Sequence, residues 1–307
     1  MSDPLVESSK PSNAVVSICC ISYNQEQWIA RCLEGMIAQV VDFPIEILIY
    51  DDASTDRTQD IIKQYQSRHP HLITATLSET NQFSQGYKPL IELVKSASGK
   101  YVALCEADDY WTDPTKLAQQ VSWLESNPET VMVGHEVLAV DAQGRQISWF
   151  TSRNPFNPSP IERDFDQFAL QTLAGVIPTC CRLFRNIPFE IPKEASSTLA
   201  SDAFLQVVLA EYGSYKYLKD IGPACYTVSD AGVWSSLDSA SKLRRNEHLY
   251  RQVSLYLKRV GHTKAHKKVK RKASALLLEQ KIRRALLALG LLPLAQAIKR
   301  RLVAYKV

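Results

Sequence analysis

The sequence predicts an α/β protein whose mixed, mostly parallel sheet is flanked by helices and followed by a basic helical extension. Three observations predict it. Apolar runs of strand length alternate with stretches whose apolar residues recur at helical spacing, the runs end one after another in polar loops, and the charge reverses near residue 242.

Val15 to Ile21 is a nearly continuous apolar run, the form of a strand buried on both faces, and Ser22-Tyr23-Asn24 ends it. Trp28-Ile29, Cys32-Leu33, Met36-Ile37 and Val40 then follow at helical spacing. Ile45 to Tyr50 gives a second strand that stops at Asp51-Asp52-Ala53-Ser54-Thr55-Asp56, before a helix carrying Ile61, Ile62 and Tyr65. A third strand around 72–77 runs into the polar loop 81–86, and a helix is expected over 89–97. Right-handed crossovers put these loops side by side at one edge of the sheet. Singly, Ser22-Tyr23-Asn24 reads as a turn, Asp51-Asp52 with Ser54 as a helix cap, and 81–86 as a plain loop. Their recurrence at the same end of successive strands marks the rim where open α/β sheets bind ligands. No Gly-x-Gly-x-x-Gly or Gly-Lys-Ser/Thr loop directs that rim toward a dinucleotide or P-loop enzyme.

The fourth apolar run, Tyr101-Val102-Ala103-Leu104-Cys105, leads straight into Glu106, Asp108 and Asp109. A buried strand cannot hold charge in its interior, so the acids fall at its carboxyl end. Crowded carboxylates repel one another, and Mg²⁺ or Mn²⁺ relieves that repulsion while leaving positions for phosphate oxygens. The other reading is a solvated acidic loop capping a helix that begins near Asp113-Pro114. Val121, Trp123 and Leu124 continue that helix, and 131–135 begins a further strand in which His135 reads as structural. Residues 149–166, rich in Pro, Asn, Ser and charge, read as a loop or lid. Asp202, preceded by Ser201, stands at the head of an apolar helix over 204–210, where an acid also serves as a cap or first-turn charge.

The chain of 307 residues is long enough for a sizeable core, and 45% hydrophobic with 22% charged residues is the composition of a globular protein. Seven cysteines lie in mostly apolar surroundings with no Cys-x-x-Cys spacing, as expected of reduced core residues. Residues 1–12 are polar and lack an apolar core segment, so no signal peptide is expected. No run reaches the roughly 20 apolar residues of a spanning helix. Residues 242–307 hold 19 lysines and arginines against 2 acids, a net +17, whereas the rest of the chain nets −13. The Lys264 to Lys272 segment and Lys299-Arg300-Arg301 are its densest clusters, interleaved with leucines at helical positions. The tail reads either as helices with solvated basic faces or as interfacial helices on anionic lipid. Its leucines suit lipid better than nucleic acid, which is not an expected partner.

Ser22-Tyr23-Asn24, Asp51-Asp52-Ala53-Ser54-Thr55-Asp56-Arg57-Thr58, Ala97-Ser98-Gly99-Lys100-Tyr101 and the run from Cys105 to Leu117 together resemble glycosyltransferase family 2. The resemblance covers roughly residues 14–240 and implies the GT-A fold, a Rossmann-like sheet, and an inverting transfer from a nucleotide-sugar donor. It places Ser22, Tyr23 and Asn24 at the nucleotide, Asp52 as the reader of the nucleobase, and Glu106, Ala107 and Asp108 on the family's Asp-x-Asp motif. Asp108 is then the metal ligand, Glu106 a longer replacement for Asp, and Asp109 a supporting or helix-capping acid. It identifies 177–185 as the acceptor-side strand and Asp202 as the catalytic base. The segment from Tyr226 to Ser235 resembles the closing motif, with Thr227 and Ser229 where Arg and His are usual. That departure keeps an inactive scaffold as the alternative. A sugar nucleotidyltransferase, the other rival, would be expected to carry a Gly-rich basic loop after the first strand.

The expected organisation is a flexible N-terminus over 1–13, a glycosyltransferase domain over 14–241 and a basic helical region over 242–307. The expected cofactor is a divalent cation, Mg²⁺ or Mn²⁺. The expected partners are a UDP-sugar, a glycan or lipid-linked acceptor in bacterial surface polysaccharide synthesis, and an anionic membrane met from the cytoplasmic side.

Overall fold

The computed structural model describes residues 13–148, 163–229, 232, 234 and 236–291. The chain divides into two compact units, Met1–Ser236 and Leu237–Val307. The first unit runs β1 (Val16–Ser22), α1 (Ile29–Ile37), β2 (Ile45–Asp51), α2 (Thr58–Arg68), β3 (Ile73–Leu77), α3 (Pro89–Ser96), β4 (Tyr101–Leu104), β5 (Tyr110–Trp111) and α4 (Lys116–Ser126). It continues with β6 (Thr130–Gly134), β7 (Val137–Val140), α5 (Gln167–Thr172), β8 (Leu183–Arg185), α6 (Ser201–Leu209), β9 (Ser214–Tyr217) and β10 (Ala224–Thr227). The predicted alternation of strand and helix is therefore present through α4. The expected lid over 149–166 lies largely outside the described residues.

Seven strands form one sheet in the order β3-β2-β1-β4-β8-β6-β9, parallel except for β8, which runs against both neighbours. A second sheet, β5-β10-β7, stands beside it in the chain. Val16, Ile18, Cys20, Ile47, Ile49, Val102 and Ala103 have no exposed surface, as strands covered on both faces require. Gly99 lets β4 come in beside β1, because a Cβ there would stand 2.7 Å from the Ser17 nitrogen. Its N–H instead donates to Ser17 Oγ at 2.8 Å, and that hydroxyl donates to Glu46 Oε1 at 2.6 Å. All seven cysteines are free and buried.

The segment 177–185 is a strand only in its last part. Thr179–Cys181 forms a 3₁₀ turn and the strand is Leu183–Arg185. Pro178 removes a ladder donor, and the Arg182 side chain turns back onto the Ile177 carbonyl.

Lys116 lies fully buried at the start of α4, with Nζ 3.9 Å from the centroid of the Trp111 ring and 2.8 Å from Gln120 Oε1. Burial pulls its pKa down to about 8. The unfolded chain keeps this proton up to about pH 10.4, so between those values the unfolded state binds more protons and stability rises with pH. Below about pH 8 both states are protonated and the penalty is constant. Urea midpoints of wild type and Lys116→Met are therefore expected to shift in the wild type's favour from about pH 8 to about pH 10.5, by at most about 3 kcal/mol. The other titrating groups cancel in the difference.

In the second unit, α7 (Ser239–Arg259) and α8 (Thr263–Ala288) form a helical hairpin. Asp238 caps α7 by accepting the Ser241 N–H at 2.7 Å. Val253, Leu257, Ala265, Val269 and Ala273 are buried, and Lys272 Nζ donates to the Tyr250 hydroxyl at 2.6 Å. Among the described residues no helix is long and apolar enough to cross a membrane. The cluster Lys299-Arg300-Arg301 lies outside the described residues.

Candidate active site

The end of β1 ties the rim together. The Ile21 carbonyl accepts the Ala107 N–H at 3.1 Å and the Ser22 carbonyl accepts the Asp52 N–H at 2.9 Å. The loops that leave β2 and β4 thus straddle one strand end, which brings Asp52 and the 106–109 acids to the same edge. Ala107 is buried, so it supplies backbone and spacing to the motif.

Ser22 and Asn24 spend their side chains on the rim itself. Ser22 Oγ donates to Asp51 Oδ2 at 2.6 Å, and Asp51 also accepts from the Ser54 backbone (2.9 Å) and from Gln59 Nε2 (2.8 Å). Asn24, at φ +54°, accepts the Thr55 N–H at 2.8 Å and gives its own N–H to Ser54 Oγ at 2.8 Å. Asn is one of the few residues at ease in that left-handed conformation. Tyr23 between them is exposed. Asp52 is buried, and its two oxygens accept the N–H groups of Gln82 (2.7 Å) and Phe83 (3.0 Å). The polar loop 81–86 is accordingly a 3₁₀ turn, Phe83–Gln85, held at the rim by Asp52. Each Asp52 oxygen keeps a further lone pair.

Glu106, Asp108 and Asp109 each turn a carboxylate oxygen to within 4.8 Å of the others. Burial raises the pKa of all three, and neighbouring charges add to it: Asp108 and Asp202 for Glu106, Asp108 and Glu106 for Asp109. Three acids held together against their own repulsion form a hard-oxygen donor set suited to Mg²⁺ or Mn²⁺. They do not cap α4: its N-cap residue is Thr115, whose N–H goes to Asp113 Oδ1 at 2.7 Å. Asp109, expected as a supporting or helix-capping acid, accepts the Thr227 N–H at 2.9 Å, while the Thr227 hydroxyl donates to the Asp108 carbonyl. Thr227, in the place of the family's usual Arg, therefore braces the acid loop against β10. Gly35 brings α1 against the same loop's exit, since a Cβ there would stand 2.8 Å from the Trp111 carbonyl.

Thr179 Oγ1 donates to Glu106 Oε2 at 3.1 Å, and the 3₁₀ turn it opens leads to Arg182. That guanidinium is buried. It donates to the Ile177 carbonyl and, at 3.0 Å, to the Asp202 carbonyl, and it stands 3.5 Å from Asp202 Oδ2. Asp202 lies in the first turn of α6 with its side chain 31% exposed. Ser201 does not cap this helix. The N-cap residue is Ala200, which makes no side-chain cap bond, and Asp202 is the acid of the first turn. Arg182 was not singled out from the sequence. The only signal was an arginine in an apolar segment, which must find acceptors when buried. His135 is buried and burial lowers its pKa to about 3, so it stays neutral as a structural histidine.

A parallel sheet with an acidic rim of this kind is the GT-A fold. Residues 17–190 match glycosyl transferase family 2, and the chain belongs to that family. An uncharacterized protein of Mycobacterium tuberculosis, Rv1520, is 37% identical over 224 residues, 72% of this chain and 61% of its own length. The match thus spans less than two thirds of that relative. The poly(ribitol-phosphate) β-N-acetylglucosaminyltransferase TarS of Staphylococcus aureus is 29% identical over 45% of this chain and 24% of its own. The crystal structure of TarS 1–349 with UDP-GlcNAc shares the fold at TM-score 0.55 and 21% identity, covering 78% of this chain and 65% of that one. The mannosyltransferase PcManGT of Pyrobaculum calidifontis, solved with GDP-Man and Mn²⁺, does so at TM-score 0.53 and 18% identity, over 98% and 83%.

Proposed function

We propose that this chain is an inverting glycosyltransferase that moves a sugar from a nucleotide-diphosphate donor, a UDP-sugar, to a hydroxyl of a glycan or lipid-linked acceptor. Its setting is the synthesis of bacterial surface polysaccharide on the cytoplasmic side of the membrane. The observation that carries this reading is the convergence of Glu106, Asp108 and Asp109 at the sheet's carboxyl edge, with Asp202 near enough to raise the Glu106 pKa.

Glu106, Asp108 and Asp109 would hold Mg²⁺ or Mn²⁺, with Asp108 as the principal ligand. When bound, the cation offsets charge on the departing diphosphate. Asp52 reads the nucleobase through its remaining lone pairs, and exposed Tyr23 lies along its face. Ser22 and Asn24 support the nucleotide through the backbone they order. Asp202 takes the acceptor hydroxyl's proton onto a carboxylate oxygen. The acceptor oxygen bonds to the anomeric carbon from the face opposite the leaving group, and the bond from that carbon to the diphosphate oxygen breaks. Arg182 holds Asp202 in place for that transfer.

Of the two departures that suggest a non-catalytic scaffold, Thr227 and Ser229, the first still braces the acid loop. The test is UDP release from a panel of UDP-sugars with and without Mn²⁺. Release from at least one donor that needs the cation is the expected result. No release from any donor, with UDP binding retained, would return the scaffold reading.

A further inference from the structure

The second unit carries a surface for which sugar transfer has no use. On α8 the line Ala265, Val269, Ala273 is buried, and the line opposite faces solvent. Through the first turns that outward line is Lys264, Lys267, Lys268 and Arg271, all exposed. Past Ser274 and Ala275 it continues at the same three- and four-residue spacing as Leu278, Ile282, Ala285 and Leu289. Leu278 is 57% exposed, Ile282 50% and Leu289 70%. At 1.5 Å per residue the stripe is basic for about 10 Å and then apolar for about 16 Å. Along its axis the stripe thus changes from basic to apolar, while Lys281 and Arg284 stay exposed beside it on the turns that carry Leu278, Ile282 and Ala285. Its apolar end is also closed: Gly290, at φ +67°, donates to the Leu287 carbonyl (3.1 Å) and Leu291 to the Leu286 carbonyl (2.8 Å). Two carbonyls that would resist an apolar phase are satisfied by that turn.

We infer that this stripe docks on an anionic lipid bilayer, with Leu278, Ile282 and Leu289 entering the acyl boundary and Lys264, Lys267, Lys268 and Arg271 lying on acidic headgroups. Exposed leucines alone would suit any apolar partner. The cations in line with them select one in which dense negative charge borders hydrocarbon. Nucleic acid has the charge without the hydrocarbon, and a second copy would bring two regions of net +17 together. The surface gives the proposed membrane setting a definite contact and rests on that part of the proposed function. Vesicle binding is read without donor or acceptor, so its failure leaves the transfer chemistry standing, and the reverse holds as well.

Flotation of the full chain with vesicles of phosphatidylcholine, alone or mixed with phosphatidylglycerol, tests it. Wild type is expected on the acidic vesicles at low salt and at least about tenfold weaker on the neutral ones. Replacing Lys264, Lys267, Lys268 and Arg271 by Gln is expected to weaken acidic-vesicle binding by about a hundredfold or more. Leu278→Ser with Ile282→Ser and Leu289→Ser should leave adsorption that high salt removes completely, whereas wild type keeps part of its binding. Circular dichroism of both variants checks that their helices are kept. The inference is overturned if wild type ignores acidic vesicles or if the serine variant resists salt as wild type does. It is equally overturned if light scattering finds a dimer that the serine variant lacks, if binding appears only after deletion of residues 292–307, or if the chain binds duplex DNA in preference to acidic vesicles.

Discussion

Asp108→Asn is expected to lower cation-dependent sugar transfer by about a thousandfold while leaving the cation-free protein as stable as wild type or more so. The two halves of that result have one cause. Glu106, Asp108 and Asp109 crowd within 4.8 Å; burial pushes all three pKa values up, and the neighbouring acids push Glu106 and Asp109 further, so the ion-free site is a strained one. Removing one charge relieves that strain and removes a ligand together. A group that merely shaped the loop would behave the other way, losing stability and activity in step. Thr227 makes the comparison clean: it holds the Asp108 backbone carbonyl and the Asp109 side chain, both of which survive the substitution. Thermal unfolding with and without Mn²⁺ and UDP should show a cation-dependent shift in wild type that Asp108→Asn lacks. Cation-dependent turnover at the wild-type rate in that variant would place the ion elsewhere.

The rim was readable from the sequence because a buried strand has only one place to put its charges. Val15 to Ile21, Ile45 to Tyr50 and Tyr101 to Cys105 are apolar apart from Ser17 and Glu46 near the opposite end, and the run of polar residues after each falls at the end where the sheet opens. Side-chain partnerships across the fold were not readable. Arg182 and Asp202 lie 20 residues apart, and nothing in local periodicity says that a guanidinium will fold back under a helix start. Thr227 looked like a loss because a string of residue types carries no hydrogen bonds, and only the pairing of β10 with β5 shows its two donors meeting the acid loop. Ser22 and Asn24 show the same limit: both stand at the rim as expected, yet their side chains hold Asp51 and Thr55. In the tail, counting charges found the basic region, but picking out the outward stripe that turns from basic to apolar needed the helix register and the buried line beneath it.

Asp202→Asn is expected to fold, bind donor with unchanged affinity and turn over about 10²- to 10⁴-fold more slowly, the usual worth of a positioned general base. The rival role for Asp202 is purely structural, as the partner of a buried arginine. Breaking such a pair by deleting one charge typically costs about 3–5 kcal/mol, because the other charge is left uncompensated. The geometry separates the roles. Arg182 already has the Ile177 carbonyl and the Asp202 backbone carbonyl as acceptors, and its contact with Asp202 Oδ2 is a long 3.5 Å. In the variant the side-chain amide would keep an oxygen facing the guanidinium, and the backbone carbonyl is untouched, so most of the arginine's hydrogen bonding persists. What the amide cannot do is take up a proton. Rate should therefore collapse with little change in unfolding temperature, and donor affinity, read by UDP-sugar titration, should stay put. A variant that unfolds several kcal/mol more easily while its folded fraction transfers sugar at the wild-type rate would make Asp202 a strut for Arg182 and move the base to another residue on the rim.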